Sequence, residues 1–418
     1  SNRMNKNKIW TKGHVLKEFK VFPEDRGGDF LEMGLQLGYI KYYEDIIDPA
    51  LHVEISVLDA FGLINKLPVR SGSALLLKYE HPSQDDQVEL ELVVSNIIGH
   101  TIDNKKEIYT LVCETKTALS NETTRVTKKY TGSISDTVKK LVKLIDAEVT
   151  VDATANTSEF FGNYRRPFKC IADLCRKSIP TTVAKGGANS GSAGFLFFET
   201  LDGYQFKSID SLFAGKPQKD SYKMTPYKEG LSGDNNFMLA SEPNFKESHD
   251  IIKKLRAGSY STANWYYDII TRKVHFHNFK YNNSVEKANE EDVTPKDYRD
   301  FYSRIILGTI DQGTTSVPAE GAELATPQDQ ARTQAQASAR YSALFSQMLD
   351  ITVPMNLSLR AGMMLKIDFP NLNTDRSLAK NSPESGKYMI ARLSHEMGNP
   401  DGDFTGLTLV RDSFTIHE

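Results

Sequence analysis

Between residues 51 and 114, short apolar runs rich in Val, Ile, Leu and Tyr alternate with polar turns, at 51–58, 74–79, 88–98 and 107–113. Runs of this length and composition predict β-strands. Val88-Glu-Leu-Glu-Leu92 alternates with period two, which puts Val88, Leu90 and Leu92 on one face and two glutamates on the other. One side of this sheet is therefore expected to be wet. The period changes after Asn121. Ser133, Ser135 and Asp136 offer helix caps ahead of Val138, Leu141, Val142 and Ile145, whose spacing predicts an amphipathic helix. Pro167 suits a helix start, and Phe168, Ile171, Ala172, Leu174 and Cys175 supply an apolar face for a second helix through 177. The run 195–206 reads as a hairpin turning at Asp202-Gly203.

Further along, the pattern predicts a helix near 245–255, strands at 264–270 and 273–279, and a helix over 333–349 that ends on Leu344, Phe345, Met348 and Leu349. Strands resume from there to the end. The polar stretch 282–291 and the Gly-, Pro-, Ala- and Thr-rich stretch 313–327 read as exposed links.

The two strand-rich ends of the chain share an order of features. Arg70-Ser-Gly72 leads into Ala74-Leu-Leu-Leu-Lys-Tyr79 and Pro82, then a polar insert, Leu92-Val-Val-Ser-Asn-Ile-Ile-Gly-His100, a short turn and Ile108-Tyr-Thr-Leu-Val-Cys113. Arg360-Ala-Gly362 leads into Met363-Met-Leu-Lys-Ile-Asp-Phe369 and Pro370, a polar insert, Tyr388-Met-Ile-Ala-Arg-Leu-Ser-His395, a turn at Asn399-Pro-Asp-Gly402 and Gly406-Leu-Thr-Leu-Val-Arg411. A glycine before a strand permits φ > 0, and a proline after it stops ladder pairing. The same antiparallel meander is expected twice.

The second of these segments, from Gly362 through Pro370, Tyr388 to His395 and Phe404 to Phe414, resembles the closing barrel of baseplate hub proteins from contractile-tail bacteriophages of the T-even type. Wider relatives of that family include tail proteins of temperate phages and hub modules of contractile secretion machines. The resemblance implies an α+β, β-rich fold with two related tube-type antiparallel β-barrels, a mixed α/β domain and an inserted segment. On this basis the chain divides into an N-terminal arm (1–20), a first barrel (21–122), the mixed domain (123–228), the first part of a second barrel (229–282), an inserted, partly helical segment (283–339) and the remainder of the second barrel (340–418). It further implies a homotrimer whose six barrels join the tail tube and baseplate to a trimeric spike, with DNA only as cargo through the channel and the virion tail as location. No catalytic residue, cofactor or metal is implied.

Composition agrees with a protein of this kind and excludes others. With 418 residues, two to four domains are expected. Lys and Arg number 51 against 54 Asp and Glu, so no overall basic excess points to nucleic-acid recognition. No apolar run approaches the roughly 18 residues of a membrane span, and no membrane anchor is expected. Ser1 to Lys12 is polar and basic with no apolar stretch after it, so no secretion signal is expected. Cys113, Cys170 and Cys175 are too few to staple the chain and fit a reducing compartment during synthesis.

Candidate chemistry is sparse. The Gly-rich stretch from Gly186 to Gly194 lacks the Lys-Ser/Thr ending of a phosphate loop and runs into a strand, so it reads as a flexible loop. His275-Phe-His277 puts two imidazoles on one strand face, where a metal would need a third ligand such as His249; surface or interface histidines are the simpler reading. Ser394-His395-Glu396 holds triad residue types, but neighbours along a strand point to opposite faces. Cys170 and Cys175 lack redox spacing and read as buried thiols. Glu199, Asp202 and Asp210 are the carboxylates a cell-wall hydrolase would use in the region 195–213, although a turn explains Asp202 better. Trp265-Tyr-Tyr267 and Phe160-Phe161 suit a core or a subunit interface, and Tyr164-Arg165-Arg166 is too small a basic spot for DNA. A hub subunit is the leading reading, with a carbohydrate-active tail protein and a monomeric receptor-binding module as rivals.

Overall fold

The fold is that of a computed structural model, which describes residues 14–23, 28–62, 64, 69–81, 87–103, 105–181, 193–219, 221–224, 242–247, 250–269, 272–280, 289, 291–292, 298, 301–310, 327–369, 382–398 and 402–414. The first part of the chain builds β1 (Val15–Phe22), β2 (Leu37–Asp45), β3 (His52–Asp59), β4 (Ala74–Glu80), β5 (Gln87–Asp103) and β6 (Lys106–Thr115). These strands pair antiparallel in the order β2-β3-β6-β5-β4-β1. Val88, Leu90 and Leu92 face the core, while Glu89 and Glu91 face solvent, as the period of two requires. β1 lies within this sheet, so the expected arm over 1–20 gives up its residues from Val15 onward to the first unit. Residues 1–13 lie outside the described residues.

β6 runs into α1 (Lys116–Thr123), and the mixed unit follows with α2 (Ile134–Lys143), β7 (Val149–Val151), α3 (Pro167–Cys175), β8 (Phe195–Thr200), β9 (Gly203–Ser208) and α4 (Ile209–Phe213). Ser133 caps α2 by accepting from the Asp136 N–H at 3.2 Å, and Val138, Leu141, Val142 and Ile145 are all buried. Pro167 opens α3. β8 and β9 form the hairpin turning at Asp202-Gly203, with β7 parallel on β9. All six residues of β8 are buried because two cores share the strand. Phe195 and Phe197 pack among α2 and α3, whereas Leu196 and Phe198 pack against Leu344, Met364 and Met389.

A second set of strands comes next: β10 (Asn244–Glu247), then α5 (Ile251–Ala257), β11 (Ser261–Asp268), β12 (Lys273–Lys280), β13 (Arg304–Ile310), α6 (Pro327–Leu344), β14 (Gln347–Pro354), β15 (Met364–Asp368), β16 (Gly386–Met397) and β17 (Phe404–Arg411). β10, β14, β17, β16 and β15 pair in that order, with the short strand Tyr222–Lys223 parallel on β15. β16 also pairs with β2, so both units belong to one 13-stranded sheet over a shared apolar core. The ladder stays open in each unit among the described residues.

Five expectations change. The helix expected over 333–349 ends at Leu344, and the residues from Gln347 onward form β14. Asn289, within the link 282–291 expected to be exposed, is buried and donates to Lys387 O and Ser413 O. Tyr222–Lys223 falls inside 123–228, yet it extends the second unit. The residues from 244 to 247 form a strand where a helix is expected, and the helix starts at Ile251 after Asp250 accepts from the Lys253 N–H. β11 and β12, assigned to 229–282 as the first part of a second barrel, pair instead with each other and with β13 in a separate three-stranded sheet. That sheet buries Phe279 against Ala335 and Ala339 of α6, so the boundary at 282 cuts through one body. The parts of the links 282–291 and 313–327, and of the polar insert 371–386, that fall outside the described residues carry no structural description.

Candidate functional site

The two sheet units are copies of one pattern. Taken in chain order, the strands of the first unit are β1, β2, β3, β4, β5 and β6; those of the second are Tyr222–Lys223, β10, β14, β15, β16 and β17. Each set arranges itself in the same spatial order, with its second strand at one end and its first at the other; the first unit adds the short strand Leu31–Glu32 beyond β1, and β1 is antiparallel to β4 whereas Tyr222–Lys223 is parallel to β15. Local detail repeats as well. The Gly72 N–H donates to Val94 O at 2.7 Å and the Val94 N–H to Ser73 O at 2.9 Å; the Gly362 N–H donates to Ile390 O at 2.8 Å and the Ile390 N–H to Met363 O at 2.9 Å. Both glycines hold positive φ, +98° and +84°. One residue later each long strand bulges, between Val94 and Asn96 against β6 and between Ile390 and Arg392 against β17. A bulge bends its strand and re-aims the residues beyond it. The second halves of β5 and β16 are thereby sent away from β4 and β15.

Within the chain, that bend in β16 makes the seam. Arg392 stands opposite Asp45 and Met397 opposite Ile40, so the second half of β16 zips onto β2. Arg392 Nε meets Asp45 Oδ2 at 2.6 Å, and Lys41 meets Glu396 at 3.6 Å. Beneath them His395 stacks on Tyr42, ring centroids 5.7 Å apart, with its Nδ1 3.0 Å from Thr405 Oγ1. Burial, aided by the Arg360 charge, pushes the His395 pKa down to about 3, so the imidazole is neutral. Glu44, also buried, accepts from Tyr42 Oη at 2.6 Å, the Leu201 N–H at 2.9 Å and the Ala361 N–H at 2.7 Å. Burial raises its pKa, and these three donors oppose the rise. One carboxylate thus ties together the first unit, the β8–β9 turn and the second unit.

Two further buried groups fix the remaining parts. Glu199 accepts from the Leu51 N–H at 3.0 Å and Thr115 Oγ1 at 3.1 Å, and burial lifts its pKa to about 7. Arg340 of α6 is 1% exposed and bridges Asp210 of α4 at 2.9 Å and Asp412, just beyond β17, at 2.6 Å. Its guanidinium also lies over the Phe213 ring.

No protein-family model matches the sequence, and no curated protein matches it. Among solved structures, a prophage MuSo2 43 kDa tail protein from Shewanella oneidensis matches with a TM-score of 0.56, 11% identity, and coverage of 95% of this chain and 98% of that one. A tail protein from Neisseria meningitidis MC58 matches with a TM-score of 0.55, 10% identity, and coverage of 96% and 97%. The chain has a phage tail-protein fold. The likeness covers 95–96% of this chain rather than one of its units. The resemblance to hub-type tail proteins seen in the sequence holds at this level.

Within the tail-protein fold, the candidate chemical groups are dispersed. Glu199 and Asp210 sit in different buried networks, and Asp202 is exposed in its turn, 3.2 Å from Arg360. His395 is buried, whereas Ser394 and Glu396 are half-buried on the opposite side of the strand. Cys113, Cys170 and Cys175 are reduced and buried, and burial pushes all three thiols up, away from nucleophilic character. A cleft of about 860 Å³ lies between α3, β8 and α6, but its Arg165 and Asp173 pair with each other at 2.5 Å. His275 lies 3.9 Å from Asp268, and no three His, Cys, Asp or Glu side chains gather as a metal site among the described residues. His249 and the loop residues 186–192 are outside them. Tyr266 is buried while Trp265 and Tyr267 are exposed; Phe160 is buried and Phe161 exposed. No described helix is long and apolar enough to cross a membrane. Sequence reasoning missed Glu44 and Arg340, whose partners lie up to 317 positions away.

Proposed function

We propose that the chain is a structural baseplate hub subunit of a contractile phage tail, in which three copies close a ring of six sheet units around a channel for DNA. The ring joins the tail tube to the central spike, and its location is the virion. The observation that carries this reading is the duplicated unit within a tail-protein fold: same strand order, same glycine hydrogen bonds, same bulge. Two like units per chain give a trimer true three-fold symmetry for a trimeric spike and pseudo-six-fold symmetry for a six-fold tube. The role is geometric and uses no catalytic group. It is supported by the structural duties taken up by Glu199, Asp202 and Asp210, the carboxylates a cell-wall hydrolase would have to spare.

The test is light scattering of the purified chain over a wide concentration range, alongside a peptidoglycan-clearing assay. A mass of three chains with no clearing is the expected result; a monomer at high concentration that clears cell wall contradicts it.

A further inference from the structure

Each chain contains one made copy of its inter-unit junction and both unmade halves of another. The made copy is the seam: β2, the edge strand of the first unit, pairs with the second half of β16. In the correspondence of the two units, β2 is equivalent to β10, and the second half of β16 is equivalent to the second half of β5. β4 and its turn pair with β5 only as far as Val94, so residues 96–103 pair with β6 alone and present an open edge. β10 pairs with β14 alone and ends the sheet. Both edges lack a strand partner among the described residues.

We infer that β10 of one copy pairs antiparallel with residues 96–103 of the next, repeating between chains the seam already made within each chain. This rests on the ring reading above and names its interface. The register comes from the internal copy, where Ser394 faces Tyr43: the equivalent pair is Ile98 of one copy and Glu247 of the next, since Glu247 stands opposite Met348, past the bulge at Lys246, as Tyr43 stands opposite His52. The open edge of β5 has few of the devices that keep exposed strands apart, namely a bulge between Ile98 and Thr101 and the charge of Asp103 at its end. It carries no proline and no lysine, and it presents Ile98 and Ile102 at 43% and 75% exposure. β10 adds Phe245 at 38%. Such an edge is a template for main-chain pairing with another strand. A contact between two different edges is head-to-tail, and it closes into a ring when its rotation divides a full turn.

The test uses the full chain carrying Ile98→Cys and Glu247→Cys together. Opposed residues in an antiparallel pair have Cα atoms about 4.5–5.5 Å apart, within the reach of a disulfide. Mild oxidation at assembling concentrations is expected to give covalent species of up to three chains, while either single variant stays uncrosslinked. Hydrogen exchange on the unsubstituted chain gives a second reading that needs no variant. Amides within 96–103 and 244–247 are expected to gain protection on assembly, whereas those of 87–93 are protected throughout. An assembled chain that forms no such disulfide and leaves 96–103 exchanging as in the monomer overturns the edge pairing and spares the ring. A chain that remains monomeric at every concentration and uncrosslinked overturns both.

Discussion

Glu44 Oε2 accepts the backbone N–H of Ala361 at 2.7 Å, a bond between the seam strand and the turn that carries Gly362. Tyr42 and Leu201 donate to its other oxygen, so removing the carboxylate strands three donors at a buried point. Leaving buried donors unsatisfied costs about 1–3 kcal/mol each, reduced where the site relaxes or admits water. Glu44→Ala is expected to lower stability by on the order of 3 kcal/mol, read from chemical denaturation. Arg392→Ala, which breaks the exposed seam pair with Asp45, is expected to cost no more than about 1 kcal/mol. Equal losses in the two variants would contradict the assignment of Glu44 as the tie.

Glu199 gives a pH signature. Its folded pKa, about 7, lies above the ordinary 4.5, so between those values the folded chain holds a proton that the unfolded chain has released. Its contribution is greatest below about pH 4.5, falls as pH rises through the window and is lost above about 7. Glu199→Gln is expected to flatten that part of the stability profile. Unfolding midpoints from pH 4.5 to 8 for both chains check this, and parallel profiles would contradict it.

The paired glycines separate conformational cost from steric cost. A Cβ on Gly72 meets nothing within 4 Å, whereas on Gly362 it would stand 3.1 Å from Phe198 Cζ and 3.2 Å from Leu212 Cδ2. Gly72→Ala is expected to cost about 1–2 kcal/mol for the left-handed backbone alone. Gly362→Ala is expected to cost more, and thermal midpoints of the two variants rank them.

Arg340 holds α6 against α4 and the end of β17, and its removal leaves two buried carboxylates facing each other's charge. Breaking a buried ion pair by removing one partner costs about 3–5 kcal/mol. Arg340→Met is expected to fall in that range. Neutralising both acids as well, with Asp210→Asn and Asp412→Asn, is expected to recover part of the loss; a triple variant no more stable than Arg340→Met would contradict the charge argument.

The features legible in the sequence are local. The alternation at Val88 to Leu92, the Ser133 cap, Pro167 at the start of α3 and the Asp202-Gly203 turn each carry their signal within a few residues. The internal echo is legible because Gly72 and Gly362 answer the same demand for positive φ. β2 escapes a sequence reading, since its inward row of Ile40, Tyr42 and Glu44 ends in a carboxylate whose partners lie at 201 and 361. Local pattern cannot assign β11 and β12 to their own sheet, because their third strand, β13, joins in parallel from beyond a long connection. The seam itself, Arg392 against Asp45, spans 347 positions and leaves no mark on local periodicity.

In the proposed hub, two like units per chain build a six-unit ring. Averaged electron-microscope images of the assembled chain test it most directly. The expected image is a ring of six lobes with three-fold symmetry and an open centre, two lobes to each chain. Single particles with two lobes, or closed assemblies whose chains do not number three, would contradict it.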